Sequence, residues 1–482
     1  MLNVKNFYIT TTIPYLNADP HMGHALEFVQ ADIIARYHRL VGDKVIFNTG
    51  TDEHGLKIFQ KALENNLPPQ DYVDLYSIRF RALKEKLNLS YTHFVRTTDP
   101  HHIKAAQEFW QRCLKAGDIY KGEYEMKYCV GCELEKDETE LVNGRCFIHP
   151  NLEIQIIKEE NYFFKLSNYQ QKLLDLYVAR PDFVVPQSRL GEIRSFVERG
   201  LKDFSISRLK SKMPWGIPVP DDDEHVMYVW FDALVNYIST LGWPEDEQNF
   251  EAWWGTKGMP NALQVAGKDN LRQQSAMWQA MLLSAELPTS RQIFIHSFIT
   301  SGGQKMSKTL GNVIDPLAVA DEYGIDALRY FLARHINQFE DSDFTIERFK
   351  EVYTANLTNG LGNLVARVMK LSEDYAVVTL HIESAQHSYL SQIKEAVETF
   401  RFNDAMDVIW SKIQRLDRRI NEEEPYKIIK TDPVTGKALI QFMVSELREI
   451  GEMLVPFMPA TSEKILDAIK ANKKPENLFP RL

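Results

Sequence analysis

The chain reads as an α/β protein: a Rossmann-like parallel sheet split by an insertion, then an all-α helical bundle. Three observations in its 482 residues carry that reading. Short β-prone runs at residues 7–11, 44–48, 263–266 and 293–296 alternate with helical stretches, the pattern of a parallel sheet covered on both faces. A cysteine-bearing segment interrupts the alternation. From about residue 346 the strand signals fade, and 355–371, 393–421 and 440–453 show long helical periodicity. The expected boundaries are 1–116 and 214–300 for the two halves of the sheet domain and 117–213 for the insertion. A loop region at 301–345 and the bundle at 346–482 complete the chain.

The first element explains the order of the rest. Residues 7–11 are strand-like, Pro14 and Asn17-Ala18-Asp19-Pro20 break the run, and residues 25–40 have helical periodicity. His21 and His24 are three apart and therefore neighbours on the first turn, where free backbone N–H groups and the dipole favour an anion. Gly23 between them removes a Cβ, which would let a flat group lie against the backbone. Taken alone, His-x-Gly-His also arises by chance near helix starts.

The second motif changes that balance. Lys305-Met306-Ser307-Lys308 follows Gly302-Gly303, behind the strand-like 293–296 run and ahead of Gly311-Asn312. Two lysines in a polar loop are often only solvated charges. A mobile loop at a strand end is also where phosphate-handling lysines work, and two imidazoles and two ammonium groups can neutralise a triphosphate from two sides. That chemistry activates a substrate with ATP.

Composition sets outer limits. With 44% hydrophobic and 25% charged residues the chain is ordinary for a globular protein of two or three domains. A net charge of −10 argues against a general polyanion binder, so an RNA partner would meet local basic patches. There is no basic-then-apolar leader and no uncharged stretch of about 20 residues, so a cytoplasmic protein without membrane spans is expected. The chain ends just after the bundle, and a monomer is expected.

Of four cysteines, Cys113 stands alone in a helical stretch, while Cys129, Cys132 and Cys146 cluster with His149. The spacing C-x2-C-x13-C-x2-H suits one tetrahedral Zn²⁺ held by three thiolates and one imidazole. Four ligands leave no open position, so the expected zinc is structural.

His-x-Gly-His followed by Lys-Met-Ser-Lys at this separation resembles the signature of class I aminoacyl-tRNA synthetases. Further segments narrow the resemblance to the methionyl-tRNA synthetase family. They are Ile13-Pro14-Tyr15, Thr49-Gly50-Thr51-Asp52-Glu53-His54-Gly55, Gly200-Leu201-Lys202-Asp203-Phe204-Ser205-Ile206-Ser207-Arg208, Trp230-Phe231-Asp232-Ala233 and Gly267-Lys268-Asp269. The likeness runs from about residue 7 to Arg481, and a zinc knuckle in the same place belongs to it.

The resemblance implies a methionine–tRNA ligase with ATP, L-methionine and tRNA(Met) as partners, and Mg²⁺ on the phosphates. His21, His24, Lys305 and Lys308 would be catalytic, with Gly23, Gly267, Lys268 and Asp269 completing the ATP site. Asp52 would hold the α-ammonium, and Ile13, Tyr15, Trp230, Ala233 and Tyr237 would line the side-chain pocket. Asn270 and Gln274 depart from the family, which carries Ile and His there. Lying four apart after Gly267-Lys268-Asp269, they are expected on one helix face with their amides hydrogen-bonded. Asn363 and Arg367 match the family's N-x-x-x-R element for the anticodon, and Tyr426 stands where the family usually has Trp. The insertion, about a hundred residues, is too short for the large editing domain that the resemblance implies in the leucyl, isoleucyl and valyl enzymes.

Two other classes fit parts of the sequence. A nucleotidyltransferase could use His-x-Gly-His without tRNA, but would not require the bundle or the knuckle. A non-catalytic tRNA-binding paralogue should have lost a catalytic His or Lys, and none is lost.

Overall fold

The computed structural model describes residues 4–132, 134–136, 140–306, 312–377 and 388–481. The strands that position the site are β1 (Asn6–Thr11), β2 (Lys44–Thr51), β3 (His93–Arg96), β4 (Ile119–Cys129), β5 (Gln155–Phe164), β6 (Val184–Val185), β7 (Ala262–Gly267) and β8 (Gln292–His296). Six of them form one sheet in the order β3-β2-β1-β7-β8-β6, with every neighbouring pair parallel. The chain runs outward from β1 to β3 on one side and from β7 to β8 on the other. The order therefore switches between β1 and β7, and a crevice opens beyond their carboxyl ends.

Side chains alternate across this sheet into two cores. Phe7, Ile9, Val265 and Phe294 pack into one, while Tyr8, Ala266, Ile293 and Ile295 pack into the other. Burial on both faces explains why these strands read as nearly continuous apolar runs. The sequence signal missed β3 and β6 because strands of four and two residues carry too little periodicity. Val184–Val185 lies in the 117–213 stretch, yet it pairs with Phe294 and its neighbour as the sheet's edge.

β4 and β5 pair antiparallel from Ile119↔Phe164 to Tyr128↔Gln155, and the cysteine cluster begins at the tip of this hairpin. The first core holds helix α1 (Met22–Leu40) and continues into the helical third. There the site-relevant helices are α2 (Ile325–Arg334), α3 (Asn363–Asp374), α4 (Phe402–Glu423), α5 (Pro433–Met453) and α6 (Pro459–Ala471). Leu364, Ile409, Met443 and Ile465 meet in their shared interior.

Two helical expectations are corrected. The 393–421 stretch is two helices, because Phe400 takes a left-handed φ of +61° between Ser391–Glu398 and α4. Its ring is buried and stacked on Phe294 at 4.4 Å, so packing against the sheet outweighs the local backbone cost. The 355–371 stretch opens as a π-helix at Tyr353–Gly362 and becomes α-helical only at Asn363.

Candidate active site

Helix α1 starts under a reciprocal cap built from the two histidines. His21 Nδ1 accepts the Gly23 N–H at 3.1 Å, and His24 Nδ1 accepts the His21 N–H at 3.2 Å. A ring nitrogen that accepts carries no proton, so each neutral ring bears its hydrogen on Nε2. The rings stack with centroids 3.8 Å apart. Burial, and then the nearby His21, push the His24 pKa well below its ordinary value. His24 therefore offers a neutral N–H donor and not a cation, which corrects the expected charge neutralisation at this residue. Gly23 also has a second reason to lack a side chain: a Cβ there would stand 2.9 Å from His21 Cε1.

The loop after β1 is stitched to the end of β2. Leu16 N–H donates to the Asp52 carbonyl at 3.1 Å, and Asp52 N–H donates to the Pro14 carbonyl at 2.8 Å. These bonds bring Ile13, Tyr15 and Asp52 together. Gly55 has φ +114°, and a Cβ there would lie 2.5 Å from Tyr15 Oη. One residue earlier, His54 Nδ1 bonds Asp232 at 2.7 Å, while His102 Nε2 takes the other Asp232 oxygen at 2.8 Å. Burial opposes the Asp232 charge, but His54 and His102 outweigh it and hold its pKa below the usual carboxylate value. This buried carboxylate ties the β2 loop to the helix carrying Trp230 and Ala233.

These elements enclose a cavity of about 440 Å³ at the switch point. Ile13, Tyr15, Asp52, Trp230, Ala233, Tyr237, Asn270 and Gln274 line it together with His21, Gly23, His24, Gly267 and Asp269. Gln274 Nε2 donates to Tyr237 Oη at 2.8 Å, and Gln274 Oε1 accepts from Gln264 at 3.1 Å. The amide is satisfied by protein and fixes the tyrosine. Asn270 donates to Asp269 Oδ1 at 3.2 Å. The expected single α-helical face is replaced by a 3₁₀ turn at Lys268–Asn270 and a π-helix at Gln273–Met277, yet both side chains reach the cavity.

Other expected residues stand apart from this constellation. Lys268 Nζ is held by Asp341 at 2.6 Å and does not line the cavity. Lys305 ends the short strand Gln304–Lys305, paired with Ile299–Ser301, and Met306 reaches the cavity wall. Lys308 lies outside the described residues. In the bundle, Asn363 is exposed at the start of α3. Arg367, one turn on, donates to Asp417 and Asn421 on α4, both at 2.6 Å. Tyr426 is 38% exposed and donates to Glu424 at 2.9 Å.

Sequence reasoning missed Glu27 and His296, which close the cavity floor. Glu27 Oε1 accepts from Thr12 N–H at 2.7 Å and Thr12 Oγ1 at 2.6 Å, and Glu27 Oε2 meets His296 Nε2 at 3.0 Å. His296 Nδ1 faces the Ser297 carbonyl at 2.8 Å. Both ring nitrogens thus face acceptors, which suits the imidazolium. Burial disfavours that charge, but Glu27, the Ser297 carbonyl and Asp269 outweigh burial and raise the pKa above 6.5. Glu27 belongs to no motif of the sequence, and only the fold sets it opposite β8. A raised folded-state pKa stabilises below the unfolded value and loses that contribution as pH rises through the folded one. The stability difference between wild type and His296→Gln should therefore be largest below pH 6.5 and shrink at higher pH, as read from urea unfolding across pH. A difference that grew with pH would contradict the charged pair.

Cys129 Sγ, Cys132 Sγ, Cys146 Sγ and a His149 ring nitrogen all lie within 4.8 Å of one another and could hold a metal ion. Gly131 is needed at the turn, because a Cβ there would meet the His149 ring at 2.5 Å.

A family model for class I tRNA synthetases (M) matches residues 7–146 and 131–369. The chain is 42% identical to a methionine–tRNA ligase of Thermosynechococcus vestitus over 478 residues, covering 95% of this chain and 89% of that one. It is 40% identical to a methionine–tRNA ligase of Brucella suis over 486 residues, covering 98% and 93%. Among solved structures, Mycobacterium tuberculosis methionyl-tRNA synthetase in complex with methionyl-adenylate superposes with a TM-score of 0.89 at 35% identity, over 96% of this chain and 94% of that one. The apo form of that enzyme gives 0.82 at 31% identity, over 100% and 99%. Likeness of this extent, in sequence and in fold, places the chain in the class I methionyl-tRNA synthetase family.

Proposed function

We infer that the protein is a methionine–tRNA ligase working in two steps. The methionine carboxylate attacks the α-phosphate of ATP, the bond to the β-phosphate breaks, and methionyl-adenylate and pyrophosphate form. The methionyl group then passes to the terminal ribose hydroxyl of tRNA(Met), and AMP leaves. The observation that carries this reading is the cavity at the switch point. It sets the N–H donors of α1 beside an aromatic pocket with a carboxylate at its rim.

Catalysis on this reading is positioning and charge stabilisation. Asp52 binds the α-ammonium, while Tyr15, Trp230 and Tyr237 surround the thioether, a favourable environment for sulfur. His21 and His24 donate to phosphate oxygens, and Lys305 and Lys308 bring positive charge from the opposite loop. Gly23, Gly267 and Asp269 receive the nucleoside. Lys268, paired with Asp341, would reach a nucleotide oxygen only by giving up that ion pair. Mg²⁺ would accompany ATP and offset phosphate charge. In the bundle, Asn363, Arg367 and Tyr426 form the proposed anticodon contact, with a base stacked on the Tyr426 ring. We assign 1–116 and 214–300 to the catalytic domain, 117–213 to the insertion, 301–345 to the lysine loop and stem contact, and 346–482 to anticodon binding. No described helix is long and apolar enough to cross a membrane.

Methionine-dependent exchange of pyrophosphate into ATP, measured beside charging of tRNA(Met), tests the reading. Exchange without charging would favour a nucleotidyltransferase, and absence of both would leave only a binding role.

We assign a structural Zn²⁺ to Cys129, Cys132, Cys146 and His149. The donor set fits: three thiolates and one imidazole in a closed shell match tetrahedral zinc. Purified protein should contain one zinc per chain. Cys146→Ala should lower zinc content and make the 129–149 segment protease-sensitive while the sheet stays folded. Metal analysis that found no zinc without chelator, or two per chain, would refute the assignment.

A further inference from the structure

The 200–208 segment has no part in the cavity described above, yet it lines a second one. This cavity, of about 220 Å³, lies between the insertion and the sheet domain and shares Trp230 with the methionine pocket. It is smaller than the roughly 300 Å³ at which drug-sized pockets begin. Its size suits one flat group.

Its walls are aromatic and basic. Arg208 lies over the Tyr228 ring at 4.1 Å, and Arg272 lies over Phe196 at 4.5 Å. Four cationic residues line it, Lys136, Lys202, Arg208 and Arg272, against two carboxylates, Glu140 and Asp203. The local balance is therefore +2 on a chain whose net charge is −10. Glu140 bonds Arg272 at 3.0 Å and lies 3.8 Å from Lys136, so the knuckle side of the insertion closes one wall. Ring faces, guanidinium planes and excess positive charge together recognise an unstacked base with its phosphates.

We propose that this cavity seats the nucleotide that precedes the terminal adenosine of tRNA while the terminal ribose enters the catalytic cavity. The shared Trp230 wall carries the geometry, since a ligand seated here lies one side chain away from the proposed methionine pocket. The inference rests on the tRNA-charging function proposed above. It adds a place where the single-stranded 3′ end is gripped after activation is complete.

Two variants outside the methionine and ATP sites test it. Arg272 is half-exposed, so Arg272→Gln should fold, and Phe196→Ala removes a stacking face. Both should leave methionine-dependent pyrophosphate exchange within about twofold of wild type. Transfer from preformed adenylate to tRNA(Met) in a single turnover should slow by about 10-fold or more, the scale of one lost stacking contact. A tRNA with a fluorescent base analogue before its terminal adenosine should be quenched on binding wild type and not Phe196→Ala. Unchanged transfer and unchanged quenching in both variants would overturn the proposal. Equal loss of exchange and transfer in Arg272→Gln would overturn it too, because the cavity would then serve activation. Absence of exchange in the wild type would instead refute the ligase reading itself.

Discussion

Replacing His24 with alanine is expected to slow methionyl-adenylate formation about 10²–10³-fold, the usual cost of one donor aimed at charge that develops in the transition state. The argument is geometric. The His21 N–H occupies His24 Nδ1 at 3.2 Å, which leaves the proton on Nε2 and makes that nitrogen a donor. Burial and then His21 keep the ring neutral, so the interaction is a directed hydrogen bond and should vary little with pH through neutrality. Methionine affinity should change far less, because Asp52, Trp230 and Tyr237 are untouched. The helix start also loses half of its reciprocal cap, at a cost of about 1 kcal/mol. Pyrophosphate exchange at saturating methionine, with methionine binding measured by calorimetry, separates the two effects. Exchange at the wild-type rate would remove His24 from the mechanism.

Arg329→Met is expected to cost about 3–5 kcal/mol of stability, the penalty for leaving a buried charge without its partner. Arg329 and Asp32 both have fully buried side chains and meet at 2.8 Å. The guanidinium also donates to the carbonyls of Phe457 at 2.9 Å, Pro456 at 3.0 Å and Leu87 at 3.1 Å. One side chain on α2 therefore joins α1, the segment before β3 and the turn between α5 and α6. Arg36, 2.7 Å from Asp32, softens the loss, so the lower end of the range is expected. Urea unfolding measures it. A loss under about 1 kcal/mol would show that the pair contributes little.

Four strands of the parallel sheet, the helix after His21, the four-ligand cluster and the helical third were legible in the residues. Each is encoded by short-range pattern: apolar runs, ligand spacing, or a 3.6-residue period. β3 and β6 were not, because a strand of two to four residues exists only through its neighbours. The break at Phe400 was hidden for a related reason. Its left-handed backbone is held by a ring stacked on Phe294, about a hundred residues earlier in the chain.

The site divides in the same way. The amino-acid sequence alone determined the chemistry on offer: two histidines at a helix start, lysines behind glycines, a carboxylate and aromatics at recognisable positions, and a thiolate–imidazole metal set. Only the tertiary structure decided the state and use of those groups. It made His24 a neutral donor, paired Lys268 with Asp341, joined Gln274 to Tyr237, and placed Glu27 under His296. Charge state and hydrogen-bond partnership depend on burial and on distances between residues as far apart as 27 and 296, and no local pattern carries that information.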